Sequence, residues 1–402
     1  MPSSAIQPDV GIVPPTDGSR LPLVVIVQPE VQHYRLPVFD LLREKGQNRY
    51  EIEVWGQLDN GKAQKGESRD YLRHVDYERN RVFGVLSTGW PLVPAAIERV
   101  RPHVVIVSGN LRNRTAWRMP RLCHRINAAC VGWDKAYGYS SLPKWFRSFL
   151  IRRLYPQFDQ MIAYGNLAAD FMADHGVPRN RIFVANNTID TRLIFSQDSF
   201  IRDRAQQLRK REGLVDKTVL LMISRLDRVK RPGDLLDAWP RLRKVDPKLM
   251  LVIAGTGELA GEIQQRAASI DPMRIKFVGR VPPGEDYTWI AASDITIQCG
   301  AIGLAINQSM AFGKATVIAD EPGPDSEIVE HHVTGWRYPR GDVSRLVDTV
   351  AEVLRDAEKR GRITGAAREL MRTEITIENM VQQLDRCITD ALQVANARRS
   401  SR

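Results

Sequence analysis

The chain has 402 residues, 43% of them hydrophobic, and a formal charge of +11 at pH 7. That length exceeds what one hydrophobic core usually serves, so two domains are expected. Cys123, Cys130, Cys299 and Cys387 are scattered, with no C-x-x-C pair and no zinc spacing, which excludes a disulfide framework or structural zinc and fits a reducing cytoplasm.

No apolar run approaches the roughly 18 residues that a membrane-spanning helix needs. Residues 1–20 are polar and Pro-rich, lack the pattern of a signal peptide, and are expected to be disordered. From Leu21 onward, short apolar strands alternate with longer amphipathic segments, the pattern of a parallel sheet covered by helices. Strands are expected at 21–29, 50–57, 103–110, 126–134 and 160–165. Helices are expected at 38–46, 143–154 and 167–175. Together they make one doubly wound domain over 21–190.

Turn residues from Asn186 lead into the charged helix DSFIRDRAQQLRKREG, and a fresh strand begins at Thr218. Strands at 218–226, 250–257, 275–281, 294–300 and 315–320 form a second doubly wound domain over 191–374. The last helix, 375–395, is expected to pack back on the first domain, ahead of a disordered basic tail at 396–402. The fold class is α/β, with two Rossmann-like domains whose sheets are expected to face a common crevice at their carboxyl ends, where such sheets bind ligands.

Charge is uneven along the chain. Between Arg79 and Arg153 there are 14 Arg and Lys against two acids, Glu98 and Asp134. This excess points to a negative partner: an anionic membrane surface, a phosphate-bearing or acidic acceptor, or nucleic acid. No recognised nucleic-acid motif accompanies the charge, so nucleic acid is set aside. The segment SLPKWFRSFLIRRLYPQF, residues 141–158 with 142–155 at its centre, interleaves Trp145, Phe146 and Phe149 with Lys144, Arg147, Arg152 and Arg153. It reads either as a surface helix for an anionic membrane or as a helix packed on its own sheet.

In the second half, TVLLMISRL runs into DRVKRP and places Arg225 and Lys230 beside the strand's carboxyl end. A planar fork and a compact point charge suit a diphosphate and the charge that grows on it as it leaves. The loop QCGAIGLAINQSMAFGKATVIAD combines a strand, a glycine-bearing turn and a helix start. Backbone amides around Gly303 and Leu304 then suit phosphate, and Gln308, on nearly the same helix face as Leu304, suits ribose hydroxyls. No D-x-D segment is present, so no metal ligand set is expected.

These stretches, with LVIAGTGE, FVGRV, VTGWRYPRGDVSRLVDTV, HYRLPVFDLL, VVIVSGN and AYGNLAADFMADHGVPRNRIFVANNTID, resemble glycosyltransferase family 4 over nearly the whole chain. The resemblance implies the GT-B architecture and retaining transfer from a nucleotide diphosphate-sugar, by default a UDP-sugar, to a glycan or lipid-linked acceptor in polysaccharide or glycolipid assembly. It implies that Arg225 and Lys230 hold the donor diphosphate, that the Gly303 and Leu304 amides assist, and that Gly279, Arg280 and Val281 face the base.

This chain departs from the family pattern at two places. Two glutamates separated by seven residues are usual, and here those positions hold Gly300 and Gln308. An amide at Gln308 keeps an acceptor but loses the charge-assisted strength of a carboxylate. Gly300 leaves donor-sugar contacts to the backbone of Ala301 and Ile302. In VGWDKAYGYSS, Asp134 and Lys135 stand where related sequences often place a histidine. Asp134 either orients a sugar or caps the following segment, and Lys135 suits an acceptor anion. His33, Tyr34 and Arg35 complete the expected acceptor side. Competing readings are an inactive GT-B binding subunit, motivated by the missing glutamates, and a sugar-nucleotide epimerase.

Overall fold

A computed structural model describes residues 21–58, 69–76, 78–82, 85–89, 93–136, 143–282, 284–321, 323 and 326–401. The expected disordered segment 1–20 lies outside the described residues. The chain divides into two units. One runs up to Asn186 and includes Glu378–Arg402, and the other is Asn187–Ile377. These junctions lie a few residues from the expected 190/191 and 374/375.

Among the described residues, the first unit contains nine strands in chain order: β1 Leu23–Val31, β2 Glu51–Leu58, β3 Leu72–His74, β4 Glu78–Val82, β5 Val85–Gly89, β6 Val104–Ser108, β7 Ala129–Asp134, β8 Gln160–Ala163 and β9 Ile182–Val184. Seven of them form a sheet in the order β3-β2-β1-β6-β7-β8-β9, with every neighbouring pair parallel. β4 and β5 form a separate antiparallel hairpin. Val24 to Val27 are fully buried, as are Val104 to Val107. Such continuous β-branched runs mark strands covered on both faces.

The second unit contributes β10 Thr218–Ile223, β11 Leu249–Ala254, β12 Ile275–Gly279, β13 Ile295–Gln298, β14 Ala315–Ala319 and β15 Trp336–Tyr338. Their order is β12-β11-β10-β13-β14-β15, again all parallel. Connections leave β10 toward one edge and β13 toward the other, so the switch point of this sheet lies between β10 and β13. That position is where open α/β sheets take ligands, and the two loops singled out in the sequence leave these two strands. Trp239 and Leu236 pack on one face of the sheet, and Met310 and Phe312 on the other.

The carboxyl-terminal helix Ile377–Ser400 belongs almost wholly to the first unit. Asp385 on it accepts from Tyr50 Oη and Arg49 Nη2, each at 2.6 Å. The tail at 396–402 differs from expectation, being helical as far as Ser400. Arg398 and Arg399 are committed rather than solvated. Arg398 Nη2 donates to Asp159 at 2.6 Å, and Arg399 donates to the carbonyls of Arg101 and Pro102 and, through Nη1, to His103 at 2.9 Å. Burial, with the Arg399 charge beside it, pulls the His103 imidazole down to about 4.

Candidate active site

The loop after β10 is shaped by close backbone contact. A Cβ on Gly255 would lie 1.8 Å from the Ser224 carbonyl oxygen, so only glycine lets the loop after β11 approach this closely. Leu226 N donates to Thr256 O at 2.9 Å and closes the contact. Asp227 then caps a single 3-10 turn, Arg228–Lys230, by accepting from Lys230 N at 3.2 Å. The same carboxylate lies 3.4 Å from Arg225, whose side chain is 78% exposed. The turn ends at Arg231, in the left-handed region at φ 52°, with its fork on Asp234 at 2.7 and 2.9 Å.

The loop after β13 meets this turn directly. Ala301 N donates to Val229 O at 2.8 Å, and Lys230 Nζ donates to Ala301 O at 2.5 Å. A Cβ on Gly300 would lie 2.2 Å from Val229 O, and one on Gly303 would lie 3.2 Å from Lys230 Nζ. Gly300 is therefore a point of backbone contact, and a larger side chain there has to displace the Lys230 turn. Among the described residues, no carbonyl accepts from the N–H groups of Ile302, Gly303 and Leu304, which precede the helix Ala305–Ala311. Two cations and a run of amides thus share the switch point of the second sheet, an arrangement suited to a diphosphate.

Gln308 is half-exposed on that short helix and donates from Nε2 to Asp286 Oδ2 at 2.8 Å. β12 ends at Gly279, with φ 74°, and Gly279 O accepts from Gly255 N at 2.6 Å. Arg280 beyond it is exposed, while Val281 packs partly against the core. A cavity of 700 Å³ opens at the opposite, amino-terminal rim of this sheet, lined by Lys217, Asp246, Asp294 and Lys314 among others, and holds none of these residues.

In the first unit, His33, Tyr34 and Arg35 form a 3-10 turn after β1. His33 is exposed and Tyr34 half-buried, whereas Arg35 is buried. The Arg35 guanidinium lies 5.6, 5.7 and 5.5 Å from the ring centres of Tyr34, Trp133 and Tyr164, and it donates to Met380 Sδ at 3.2 Å. Asp134, at the end of β7, is 4% exposed. It accepts from Tyr155 Oη and from Lys135 N, both at 2.8 Å. Lys135 itself is exposed.

The helix Lys144–Leu154 buries Ile151 and Leu154 but leaves Trp145 75% and Phe149 47% exposed. Arg153 lies 5.0 Å over the Phe149 ring. One face of this helix packs, and the other presents aromatic and basic side chains. Residue 142 lies outside the described residues. Among the described residues, no helix is long and apolar enough to cross a membrane.

The pattern of Glycosyltransferase Family 4 matches residues 38–193, and that of Glycosyl transferases group 1 matches residues 204–370. This chain belongs to the family 4 type of glycosyltransferases. It is 28% identical over 222 residues to the N-acetyl-alpha-D-glucosaminyl L-malate synthase of Bacillus anthracis, covering 54% of this chain and 55% of that protein. It is 24% identical over 242 residues to the amylovoran biosynthesis glycosyltransferase AmsK of Erwinia amylovora, covering 58% and 56%. The chain thus spans about half the length of the curated relatives it matches.

The fold of this chain matches that of Anabaena HepE in complex with UDP, with a TM-score of 0.70, 16% identity, and coverage of 92% of this chain and 100% of that one. Sucrose-phosphate synthase from Thermosynechococcus elongatus matches with a TM-score of 0.68, 12% identity, and coverage of 92% and 98%. These likenesses establish the GT-B fold. Sequence reasoning passed over Asp227, although its place three residues before Lys230 is the spacing of a capping side chain. It also passed over Asp286, which carries no local signal and is found only through its contact with Gln308.

Proposed function

We propose that this protein is a retaining glycosyltransferase that takes a sugar from a nucleotide diphosphate-sugar, by default a UDP-sugar, without a metal ion. The contact between Lys230 and the 300–303 loop carries this reading, because it builds one cationic, amide-rich rim at the switch point of the second sheet. In the proposed reaction the bond between the sugar's anomeric carbon and the diphosphate oxygen breaks, and the electron pair leaves on the nucleoside diphosphate. Arg225 and Lys230 stabilise the charge that develops there. The acceptor hydroxyl bonds to the same face of the anomeric carbon and gives its proton to the departing diphosphate.

The first unit is assigned the acceptor, with His33, Tyr34 and Lys135 as its contact residues. Arg35 and Asp134 support them from the buried side. The exposed face of Lys144–Leu154, bearing Trp145, Phe149, Arg152 and Arg153, is assigned to an anionic membrane surface on the cytoplasmic side, where a lipid-linked or glycan acceptor is reached. UDP and UDP-glucose bound in structures of Anabaena HepE support the donor class.

The absence of carboxylates at Gly300 and Gln308 favours one alternative, a binding subunit without turnover. Incubation with UDP-, GDP- and ADP-sugars, followed by NMR of the anomeric proton, separates the two. Release of nucleoside diphosphate with a product of unchanged anomeric configuration supports the transferase. Tight nucleotide binding with no turnover of any donor across an acceptor panel supports the binding subunit.

A further inference from the structure

We infer that Asp286 recognises the ribose diol of the bound nucleotide, supplying from a different helix the carboxylate that Gln308 lacks. The inference rests on the donor-site reading above.

Asp286 stands in the first turn of the helix Glu285–Ala292, which follows β12 and therefore starts at the carboxyl rim of the sheet. Gln308 stands in the helix that follows β13, beyond the loop touched by Lys230. The amide of Gln308 donates to Asp286 Oδ2 at 2.8 Å, and Gly284 N donates to Oδ1 at 2.9 Å. Both Asp286 and Gln308 are half-exposed, so a ligand reaches them.

Among the described residues, no Lys or Arg forms an ion pair with Asp286. Its two bonds come from neutral donors and fix the carboxylate's orientation without spending its charge. An ionised carboxylate offers about four lone-pair sites, so at least two remain for hydroxyl donors. Vicinal hydroxyls are the matching group, and an acid on ribose hydroxyls is the recurrent solution in nucleotide-binding α/β sheets. Gln308, with its Nε2 turned to Asp286, keeps its carbonyl oxygen as a further acceptor. The pair therefore works as a unit in which Gln308 positions and Asp286 binds.

The test is calorimetric titration of the full chain with UDP, GDP and ADP, and then with the 2′-deoxy and 3′-deoxy forms of whichever binds. The wild type is expected to prefer the ribonucleotide by 10-fold or more. Asp286→Asn, which conserves shape, keeps its oxygen on Gly284 N and meets Gln308 through its own NH2 once the Gln308 amide turns over to present Oε1, is expected to cut that preference to below 3-fold while affinity for the deoxy forms stays unchanged. Gln308→Leu is expected to weaken the preference partly, and Gln308→Glu to cost affinity by setting two carboxylates against each other.

An unchanged preference in a folded Asp286→Asn protein overturns the inference and leaves the donor site standing, provided that Arg225→Ala and Lys230→Ala lose affinity for both nucleotide forms. A lowered melting temperature in Asp286→Asn with the preference unchanged assigns the residue a purely structural role and also overturns it. If none of the three nucleotides binds the wild type, the donor-site reading itself fails and takes the inference with it.

Discussion

Lys230 Nζ lies 2.5 Å from the carbonyl oxygen of Ala301, across 71 positions of sequence. The contact joins the loop after β10 to the loop after β13 at the point where the connections of the second sheet diverge. It gives the lysine a fixed place rather than a solvated one. The backbone on the other side of the contact is equally constrained, because Ala301 N donates back to Val229 O at 2.8 Å.

Gly300 follows from that constraint. Gly300→Ala is expected to destabilise the fold by about 1–3 kcal/mol, the usual cost of forcing atoms into filled space, and to weaken nucleotide binding at least 10-fold. Gly300→Glu, which restores the residue usual in the family, is expected to behave no better. Urea denaturation together with calorimetry measures both effects. A Gly300→Glu protein with wild-type stability and raised activity would show that the turn at 228–230 yields easily.

Asp227 is expected to act through the same turn. Asp227→Ala removes the side-chain cap on Lys230 N at a cost of about 1 kcal/mol and frees Arg225 from its acidic neighbour. Affinity for nucleoside diphosphate is expected to fall 3- to 10-fold, with the two loops still folded. Wild-type affinity in this variant would mean that the turn needs no cap.

Stability should depend on pH through His103. Its folded value is about 4 against an ordinary 6.5, so between those values the unfolded chain binds a proton that the folded chain does not. The stabilisation is therefore complete above about pH 6.5 and is lost as the pH falls toward about 4. Because half of the ring is screened by solvent, the loss is expected to stay under ~2 kcal/mol. Denaturant titrations at pH 7.5 and 5.0 measure it, and His103→Gln is expected to flatten the difference. An equal pH dependence in that variant would place the acid sensitivity elsewhere.

The face of Lys144–Leu154 makes a separate prediction. Trp145→Ser with Phe149→Ser removes two exposed side chains, so the melting temperature is expected to stay within 2 °C or so, as surface substitutions usually do. Co-sedimentation with vesicles containing about a third anionic lipid is expected to drop several-fold, and wild-type binding to weaken with added salt. Unchanged sedimentation of the double variant contradicts a membrane role for this helix.

Much of the fold is written in local pattern. Val24 to Val27 and Val104 to Val107 are apolar runs that no surface segment would carry, and the strands follow from them. The three-residue strands β3, β9 and β15 are too short for a periodic signal, and their edge positions come from pairing alone. The basic tail looks unstructured in sequence because its partners, Asp159 and the Arg101 and Pro102 carbonyls, are more than 200 positions away.

The site divides in the same way. Arg225, Lys230 and the glycine loop are legible because charge and glycine cluster at strand ends. Gly300 reads only as a missing carboxylate in sequence, and its contact with Val229 O appears once the two loops are folded together. Asp286 is silent for the same reason, since nothing near it in sequence shows that Gln308 will meet it.

Titration of the purified chain with UDP, GDP and ADP in the presence of a metal chelator, alongside Arg225→Ala and Lys230→Ala, tests the donor site most directly. The account predicts selective binding of one nucleotide without metal and a loss of 10-fold or more in each variant. Binding that needs a divalent cation, or that survives both substitutions, would contradict it.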